Sequence, residues 1–472
     1  MTNFTNVKLT FYGAAGTVTG SMHHLESHGK RYLLDCGMYQ GRRKDAEMQN
    51  RNFPFQPSSI DAVLISHAHI DHTGILPLLV KNGFSGPIYA TPATADLCNW
   101  MLRDTAHIME SDAQFVSKRS RHHVESLFTM ADAEKTLPLF RPVDYHKPHP
   151  LNPALTFETY DAGHMLGSSC ILLRETIDGR SGSLIFSGDV GRPGLPIVRD
   201  PEPLPPADSL IMESTYGDRL HEREGELTDH LADVVNQTVS RGGRVIVPSF
   251  AVGRTQQIVL LLHQLANEKR IPVLPIFVDS PLAVNVTTVF RAHPECFNED
   301  TREFLQNGED PFGFSRLKYV REAADSKKLN SLEGPFIVIS PSGMCEVGRV
   351  LHHLRHNIGD PRNTVLITGY QAENTLGRKL VEGMKEVKIF GEPFEVRAEI
   401  ASLQALSGHA DRDELLAWMK PVTPGLKNVF LVHGEPDQST GLTDAISKTY
   451  GIEAVTAIRG RSYELPPAMG GK

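Results

Sequence analysis

The chain has 472 residues, of which 40% are hydrophobic and 22% charged, with a net charge of -8 and 21 histidines. Such a length exceeds one ordinary core and predicts two domains or three, and the composition is that of a globular chain with no low-complexity tract. The acidic balance excludes a protein that coats nucleic acid by bulk electrostatics, and five scattered cysteines without a C-x-x-C pair exclude a disulfide framework or a cysteine-built zinc site. No apolar run approaches the roughly 20 residues of a membrane span. Met1 to Thr10 lacks a basic-then-apolar leader pattern, so no membrane partner and a cytoplasmic location are expected.

In chain order, Val7 to Ala14, Met22 to Glu26 and Lys30 to Leu34 alternate apolar residues with turn punctuation and predict an antiparallel meander. Asp35, at the end of the third strand and just before Gly37, is expected to support the ligand loop that follows rather than only to make a turn. That loop is Ser66-His67-Ala68-His69-Ile70-Asp71-His72, delivered by the apolar run Ala62 to Ile65. Residues two apart in an extended segment share a face, so His67 and His69 can address one ion while the turn swings Asp71 and His72 toward a second. Imidazole and carboxylate suit zinc, with iron or manganese as alternatives.

Beyond it, Ile75 to Lys81 predicts a helix and Pro87 to Thr91 a strand, and Ala93 to Phe140 is mostly helical and polar. The basic run Lys118 to His123 is expected to be a solvated helix face, with an RNA-backbone contact as the alternative. Two further strand ends carry one ligand-competent side chain each beside glycine: Leu155 to Tyr160 leads to His164, and Ser183 to Phe186 leads to Asp189. With the first loop they supply another imidazole and a carboxylate able to bridge two ions.

On these residues the chain resembles the metallo-β-lactamase superfamily, a sandwich of two sheets flanked by helices. In that pattern His67, His69 and His164 would hold a first metal, Asp71 and His72 a second, and Asp189 would bridge them. A simple member supplies its last histidine soon after the bridging acid, whereas here the best candidate, His433, lies a domain's length further on. The Pro-rich connector Pro201 to Pro206 marks the entry to that insertion.

Inside the insertion strands alternate with helices. Val245 to Pro248 precedes a helix from about Arg254 to Glu268, and Val273 to Val278 one from about Leu282 to Ala292. Phe336 to Ser340 then leads into Cys345 to Asn357, and Val365 to Thr368 into Thr375 to Lys385. The alternation predicts a parallel, helix-flanked sheet. Ser340 to Met344 and Ser249 to Arg254 each place small residues and a helix N-terminus after a strand, which suits an anion, and equally suits ordinary N-capping; Asp279-Ser280-Pro281 is a poorer anion edge. The chain then returns through Ser407-Gly408-His409-Ala410-Asp411, which opens a helix over Arg412 to Met419. The strand Val429 to Val432 ends in His433, beside Gly434, and repeats the pattern of His164 and Asp189. By its own residues His409 is equally a capping or core histidine.

These later residues carry a narrower resemblance, to the β-CASP nucleases, the branch containing the nuclease subunit of the pre-mRNA cleavage and polyadenylation factor, the J-type ribonucleases and short bacterial homologues. Glu213, in Ile211-Met212-Glu213-Ser214-Thr215-Tyr216-Gly217, matches the acidic first motif, His409 the second and His433 the third. The resemblance implies an α/β chain: a metallo-β-lactamase αββα sandwich (residues 1–208 and 398–472) with an inserted parallel-sheet β-CASP domain (209–397). It implies two zinc ions, with manganese or iron as alternatives, held by the seven ligands, and catalytic roles for His409, Glu213 and Asp71.

The implied reaction is hydrolysis of single-stranded RNA, mainly internal, leaving 5′-phosphate and 3′-hydroxyl ends. The metals would lower the pKa of bound water from about 16 toward about 7, the hydroxide would attack phosphorus, and His409, held in the right tautomer by Glu213, would donate to a phosphate oxygen or protonate the leaving 3′-oxygen. Ser407, Ser340, Ser342, Gly343 and Arg254 are candidate contacts to the RNA backbone. A histidine at the third motif accompanies RNA substrates in this family, and relatives suggest a homodimer. The J-type enzymes' appended C-terminal domain has no counterpart here, which tells against their tetramers and 5′-exonuclease habit. The alternatives are a small-molecule metallo-hydrolase on the same scaffold, a 5′-3′ exoribonuclease, or a silent RNA-binding scaffold of the kind that has lost ligands.

Overall fold

A computed structural model describes residues 7–41, 43–119, 123–177, 180–221, 227–369, 371–403 and 406–465. By contacts the chain divides into two units. The first comprises Met1–Gly194, Arg199–Leu220 and Gly408–Lys472, the second Leu195–Val198 and His221–Ser407.

In the first unit, the alternating segments near the N-terminus pair as three antiparallel strands, Val7–Phe11, His23–Ser27 and Lys30–Leu34, with Leu25 opposite both Leu9 and Tyr32. The sheet then grows by parallel pairing through Ala62–Leu64, Ile88–Ala90 and Phe140–Pro142, and Ser462–Leu465 closes its other edge against Val7–Phe11. A second seven-stranded sheet runs Ala454–Thr456, Asn428–Val432, Ser209–Glu213, Arg180–Phe186, Ser169–Ile177, Leu155–Asp161, His149–Pro150. Its first four strands are mutually parallel and the rest antiparallel.

Buried side chains on the facing sides of the two sheets, among them Phe11, Leu25, Leu64, Phe157, Phe186 and Phe430, form one core. The outer face of the second sheet packs Leu172, Leu210 and Leu431 against Leu415, Trp418, Leu442 and Ile446 of helices Arg412–Met419 and Pro436–Tyr450. Strand Leu155–Asp161 buries every second residue, as a strand with one face in a core must. Two layers of strands between helices make the αββα sandwich.

The second unit is built on six parallel strands in the order Leu317–Val320, Ile276–Asp279, Ile337–Ser340, Val245–Pro248, Thr364–Ile367, Glu399–Ser402. The four inner strands are short runs rich in Val and Ile and buried on both sides, the pattern of a sheet covered by helices on two faces. Two helices here depart from the sequence expectation. The one expected from Cys345 begins at Arg349, because Cys345 and Gly348 take positive φ and turn the chain first. The one expected to reach Lys385 ends at Val381, where Gly383 takes positive φ and stops it. Of the basic run, Lys118 lies on the helix Pro92–Arg119, while Ser120, Arg121 and His122 lie outside the described residues. Among the described residues no helix is long and apolar enough to cross a membrane.

Candidate metal centre

Five segments, each leaving the end of a strand in the first unit, bring their polar residues to one place. Strand Ala62–Leu64 delivers the loop with His67 and His69, and the short helix Ile70–Thr73 carries Asp71 and His72. His164 follows strand Leu155–Asp161, Asp189 follows Arg180–Phe186, Glu213 ends Ser209–Glu213, and His433 follows Asn428–Val432. Strand ends suit this task because the ladder fixes the backbone up to the last pair and the chain is then free to turn. His433 and Gly188 both use positive φ to do so.

The resulting cluster has two halves. Ligand atoms of His67, His69, His164 and Asp189 lie within 4.8 Å of one another, and so do those of Asp71, His72 and His433. His69 Nδ1 stands 3.0 Å from His67 Nε2 and 3.2 Å from His164 Nε2. His433 Nε2 stands 3.3 Å from His72 Nε2 and 3.4 Å from Asp71 Oδ2. Asp189 lies between the halves: its Oδ2 is 3.4 Å from His67 Nε2, 3.4 Å from His72 Nε2 and 3.6 Å from His164 Nε2. Two ligands on a tetrahedral zinc, each about 2.0–2.1 Å from the ion, stand about 3.3 Å apart. The separations around Asp189 and His433, 3.3 to 3.6 Å, match that figure better than they match a hydrogen-bonded network. Moreover Asp189 Oδ1 is buried with no hydrogen-bond partner among the described residues. Donor chemistry, spacing and an orphaned carboxylate oxygen all fit divalent cations of the zinc type.

Electrostatics agree with the donor set. Burial holds His67 and His164 well below the ordinary imidazole range, and holds His69 at about 4 against the opposing pull of Asp71 and Asp189. Neutral rings with a free lone pair are the form that binds metal. His72 moves the other way: burial acts to lower it, but the Asp189 and Asp35 carboxylates on either side outweigh burial and raise it. Burial acts to raise Asp71, yet the neighbouring His433, His72 and His69 imidazoles outweigh it and bring it down to about 2.

Behind the ligands sits a second ring of contacts. Asp35 is fully buried, accepts from His72 Nδ1 at 2.6 Å, and takes the Ser66 amide and the Ser21 and Ser66 hydroxyls as well. Its bond to Nδ1 turns His72 Nε2 toward the cluster. His164 Nδ1 donates to Gly408 O at 2.8 Å, and a Cβ on Gly408 would come within 3.1 Å of that imidazole. Thr215 Oγ1 donates to the Glu213 carboxylate and lies 3.1 Å from His433 Nδ1. Ser21, Ser66, Thr215 and Gly408 had no signal in the sequence beyond lying next to a ligand or motif residue, since a hydroxyl or a glycine is common everywhere.

His409 is not within the two ligand groups. Its Nδ1 is 3.0 Å from Glu213 Oε2 and 3.9 Å from Asp189 Oδ2, and its side chain is 22% exposed while Glu213 is fully buried. Glu213 also accepts the Val190 amide, so its carboxylate cannot swing. Burial acts to lower His409, but the charges of Glu213 and Asp189 outweigh it and raise the group to about 9.

The remaining candidates belong to the second unit. Ser340 is fully buried and its Oγ donates to Asp279 O, so its proton is already used. Ser342 Oγ accepts the Glu346 amide at 3.4 Å, Gly343 packs under the Phe250 ring, and Arg254 Nη1 donates to Gln257. Ser280 caps helix Pro281–Ala292 through Ala283 N, ordinary capping rather than an anion edge. Ser407 is buried next to Gly408.

Three family models match in chain order: "Metallo-beta-lactamase superfamily domain" over residues 24–185, "Beta-Casp domain" over 255–380, and "Zn-dependent metallo-hydrolase RNA specificity domain" over 393–457. The chain is 37% identical over 436 residues to Ribonuclease TTHA0252 of Thermus thermophilus, covering 92% of this chain and 95% of that one. It is 31% identical to an RNase J-like protein of Methanocaldococcus jannaschii, covering 96% of this chain and 99% of that one. It is also 31% identical to Transcription termination factor FttA of Methanosarcina mazei, covering 95% and 70%. A crystal structure of a protein of unknown function from Enterococcus faecalis shares the fold over 98% of this chain and 100% of that one, with a TM-score of 0.56 at 11% identity. The chain belongs to the β-CASP family of metallo-β-lactamase-fold hydrolases.

Proposed function

We propose that this chain is a metal-dependent ribonuclease that hydrolyses phosphodiester bonds of single-stranded RNA, leaving 5′-phosphate and 3′-hydroxyl ends. The observation that carries it is the pairing of a two-part cluster of seven metal-competent side chains with a Glu213–His409 dyad beside it. The relatives named as ribonucleases, at 37% and 31% identity over nearly the whole chain, point the same way.

His67, His69 and His164 would hold one cation, Asp71, His72 and His433 another, and Asp189 would serve both. Zinc bound there would acidify water near neutral pH and offset charge on the phosphate. The chain's own contribution is positional. Asp35 and Thr215 hold His72 and His433 in the tautomer that presents Nε2, and Gly408 O does the same for His164. Glu213 anchors His409 by Nδ1, which leaves Nε2 as the proton donor to the departing 3′-oxygen.

Incubation of the purified protein with 5′-labelled single-stranded RNA and matching DNA, with and without a chelator, tests this. RNA alone should be cut, into internal fragments, and the chelator should stop it. Turnover of nitrocefin or a thioester with intact RNA would instead identify a small-molecule hydrolase. Products released one nucleotide at a time from the 5′ end would make it an exonuclease.

A further inference from the structure

Beside the metal centre, in the same unit, lies a cavity of about 120 Å3 that no ligand or motif residue occupies. Its walls are the glycine-rich segment between the first two strands, the turn carrying Tyr39, the end of helix Arg43–Arg51, and Arg459. It shares backbone with the ligand loops. Ala14 O, in its wall, accepts the His433 amide at 2.7 Å, and Gly37 is pressed so closely on Asp71 that a Cβ there would lie 1.6 Å from Asp71 O.

The chemistry of the walls is specific. Two tyrosine rings line the cavity, both half-buried, and neither hydroxyl has a partner among the described residues. Tyr39 is held by its backbone: Asn50 Oδ1 accepts its amide and Asn50 Nδ2 donates to its carbonyl, each at 2.8 Å. Gly20 lies against its backbone and Gly41 against its ring, where an added Cβ would come to 3.1 Å from Tyr39 Cα and 2.8 Å from Tyr39 Cε1. Tyr12 is braced by Phe55 and His24, at ring separations of 5.5 and 5.8 Å. Arg459 donates through Nε to Tyr12 O and through Nη1 to Gln49, which orients the guanidinium and leaves other N–H groups for a ligand.

Rigid aromatic faces, a guanidinium plane and unused hydroxyls are the groups on which an unpaired base stacks and hydrogen-bonds. The volume is well below the roughly 300 Å3 at which pockets for whole drug-sized ligands begin, and suits one flat ring system. We propose that this cavity seats one base of the RNA strand, close to the phosphate being cut, and so sets a base preference around the cleavage position. This rests on the ribonuclease assignment above. Tyr39 and Tyr12 supply the stacking faces, and Arg459 reads the edge of the base.

The test walks a single abasic position along a short single-stranded RNA and measures kcat/KM with the metal-loaded protein. In the wild type one abasic position near the scissile bond should lower kcat/KM about tenfold, the scale of one lost base–aromatic stack. In Tyr39→Leu and Arg459→Met, intact RNA should already be slower by a similar factor and that abasic position should make no further difference. Tyr39→Phe keeps the ring and should keep the sensitivity. Metal content by elemental analysis should match the wild type in all three, and so should the rate on RNA already abasic at that position, which separates loss of the base seat from a disturbed metal centre. Overturning results are a wild type indifferent to every abasic position, leucine and methionine variants that remain sensitive, or a loss of metal in those variants that matches their loss of rate. A wild type that cuts no RNA removes the ribonuclease assignment and this one with it; one that cuts RNA but ignores every abasic position removes only the cavity's role.

Discussion

Two buried aspartates, one in each unit, show what separates a candidate metal cluster from a structural ion pair. Asp279 ends a strand of the parallel sheet, and both its oxygens are satisfied. Arg349 Nη1 donates to Oδ1 at 2.7 Å, and His353 Nε2 and Ser326 Oγ donate to Oδ2 at 2.7 and 2.6 Å. Asp189 also follows a strand and is surrounded by imidazoles, yet its nearest imidazole nitrogens stand 3.4 Å or more away and Oδ1 has no hydrogen-bond partner among the described residues. Hydrogen bonds close to 2.7–3.2 Å; ligands held apart around a common point do not. A histidine beside an aspartate is therefore uninformative by itself. The distance and the unsatisfied oxygen carry the distinction.

The comparison can be broken by mutation, and the effects should fall in a definite order. Asp189→Ala should remove at least one equivalent of metal, measured by elemental analysis. It should also lower cleavage by more than the roughly 10- to 100-fold typical of outer partners; full occupancy would end its bridging role. His409→Ala should keep both metals and lose about 100-fold or more in kcat. A fall in metal content matching the fall in rate would make it a ligand instead.

Asp35→Ala should weaken metal affinity by roughly 10- to 100-fold, read by competition with a chelating dye, because His72 loses the partner that fixes its tautomer. Asp279→Asn should leave metal content and cleavage untouched while costing about 2 kcal/mol of stability in the second unit, the scale of a buried hydrogen bond to a charged group.

That last variant also has a pH signature. Burial acts to raise Asp279, but the hydrogen bonds from His353, Ser326 and Arg349 outweigh it and hold the carboxyl below its ordinary value near 3.8. A depressed acid stabilises the fold above its unfolded pKa, and that contribution is lost as pH falls through the folded one. The gap in melting temperature between wild type and Asp279→Asn should thus be full near neutrality and close below about pH 4. A gap that persists in acid would mean the aspartate works by packing rather than charge.

Much of this molecule was legible in order along the chain. The ligand loop from His67 to His72 declares itself because four donors crowd one short stretch behind an apolar strand, and periodicity alone separates the alternating strands of the sandwich from the Val- and Ile-rich strands of the parallel sheet. His164, Asp189 and His433 are each a single residue after a strand, so their chemistry was legible only as a recurring position beside glycine. Helix ends in the second unit differ from the sequence expectation where the backbone turns through positive φ at Cys345, Gly348 and Gly383, since helix-forming side chains extend beyond both true boundaries.

What the residues determined by themselves is the donor inventory and the strands that present it, because ligand type and pleat alternation are local properties. Tertiary structure alone decided the rest. Glu213 and His409 lie far apart in sequence and meet at 3.0 Å only because strand Ser209–Glu213 pairs beside Asn428–Val432 and the Ala410 amide bonds to Val190 O. Likewise Tyr39 and Arg459, from opposite ends of the chain, line one cavity because strand Ser462–Leu465 joins the first sheet at its N-terminal strand. Strand pairing across hundreds of residues has no local signature, and that is where the specificity of this site was made.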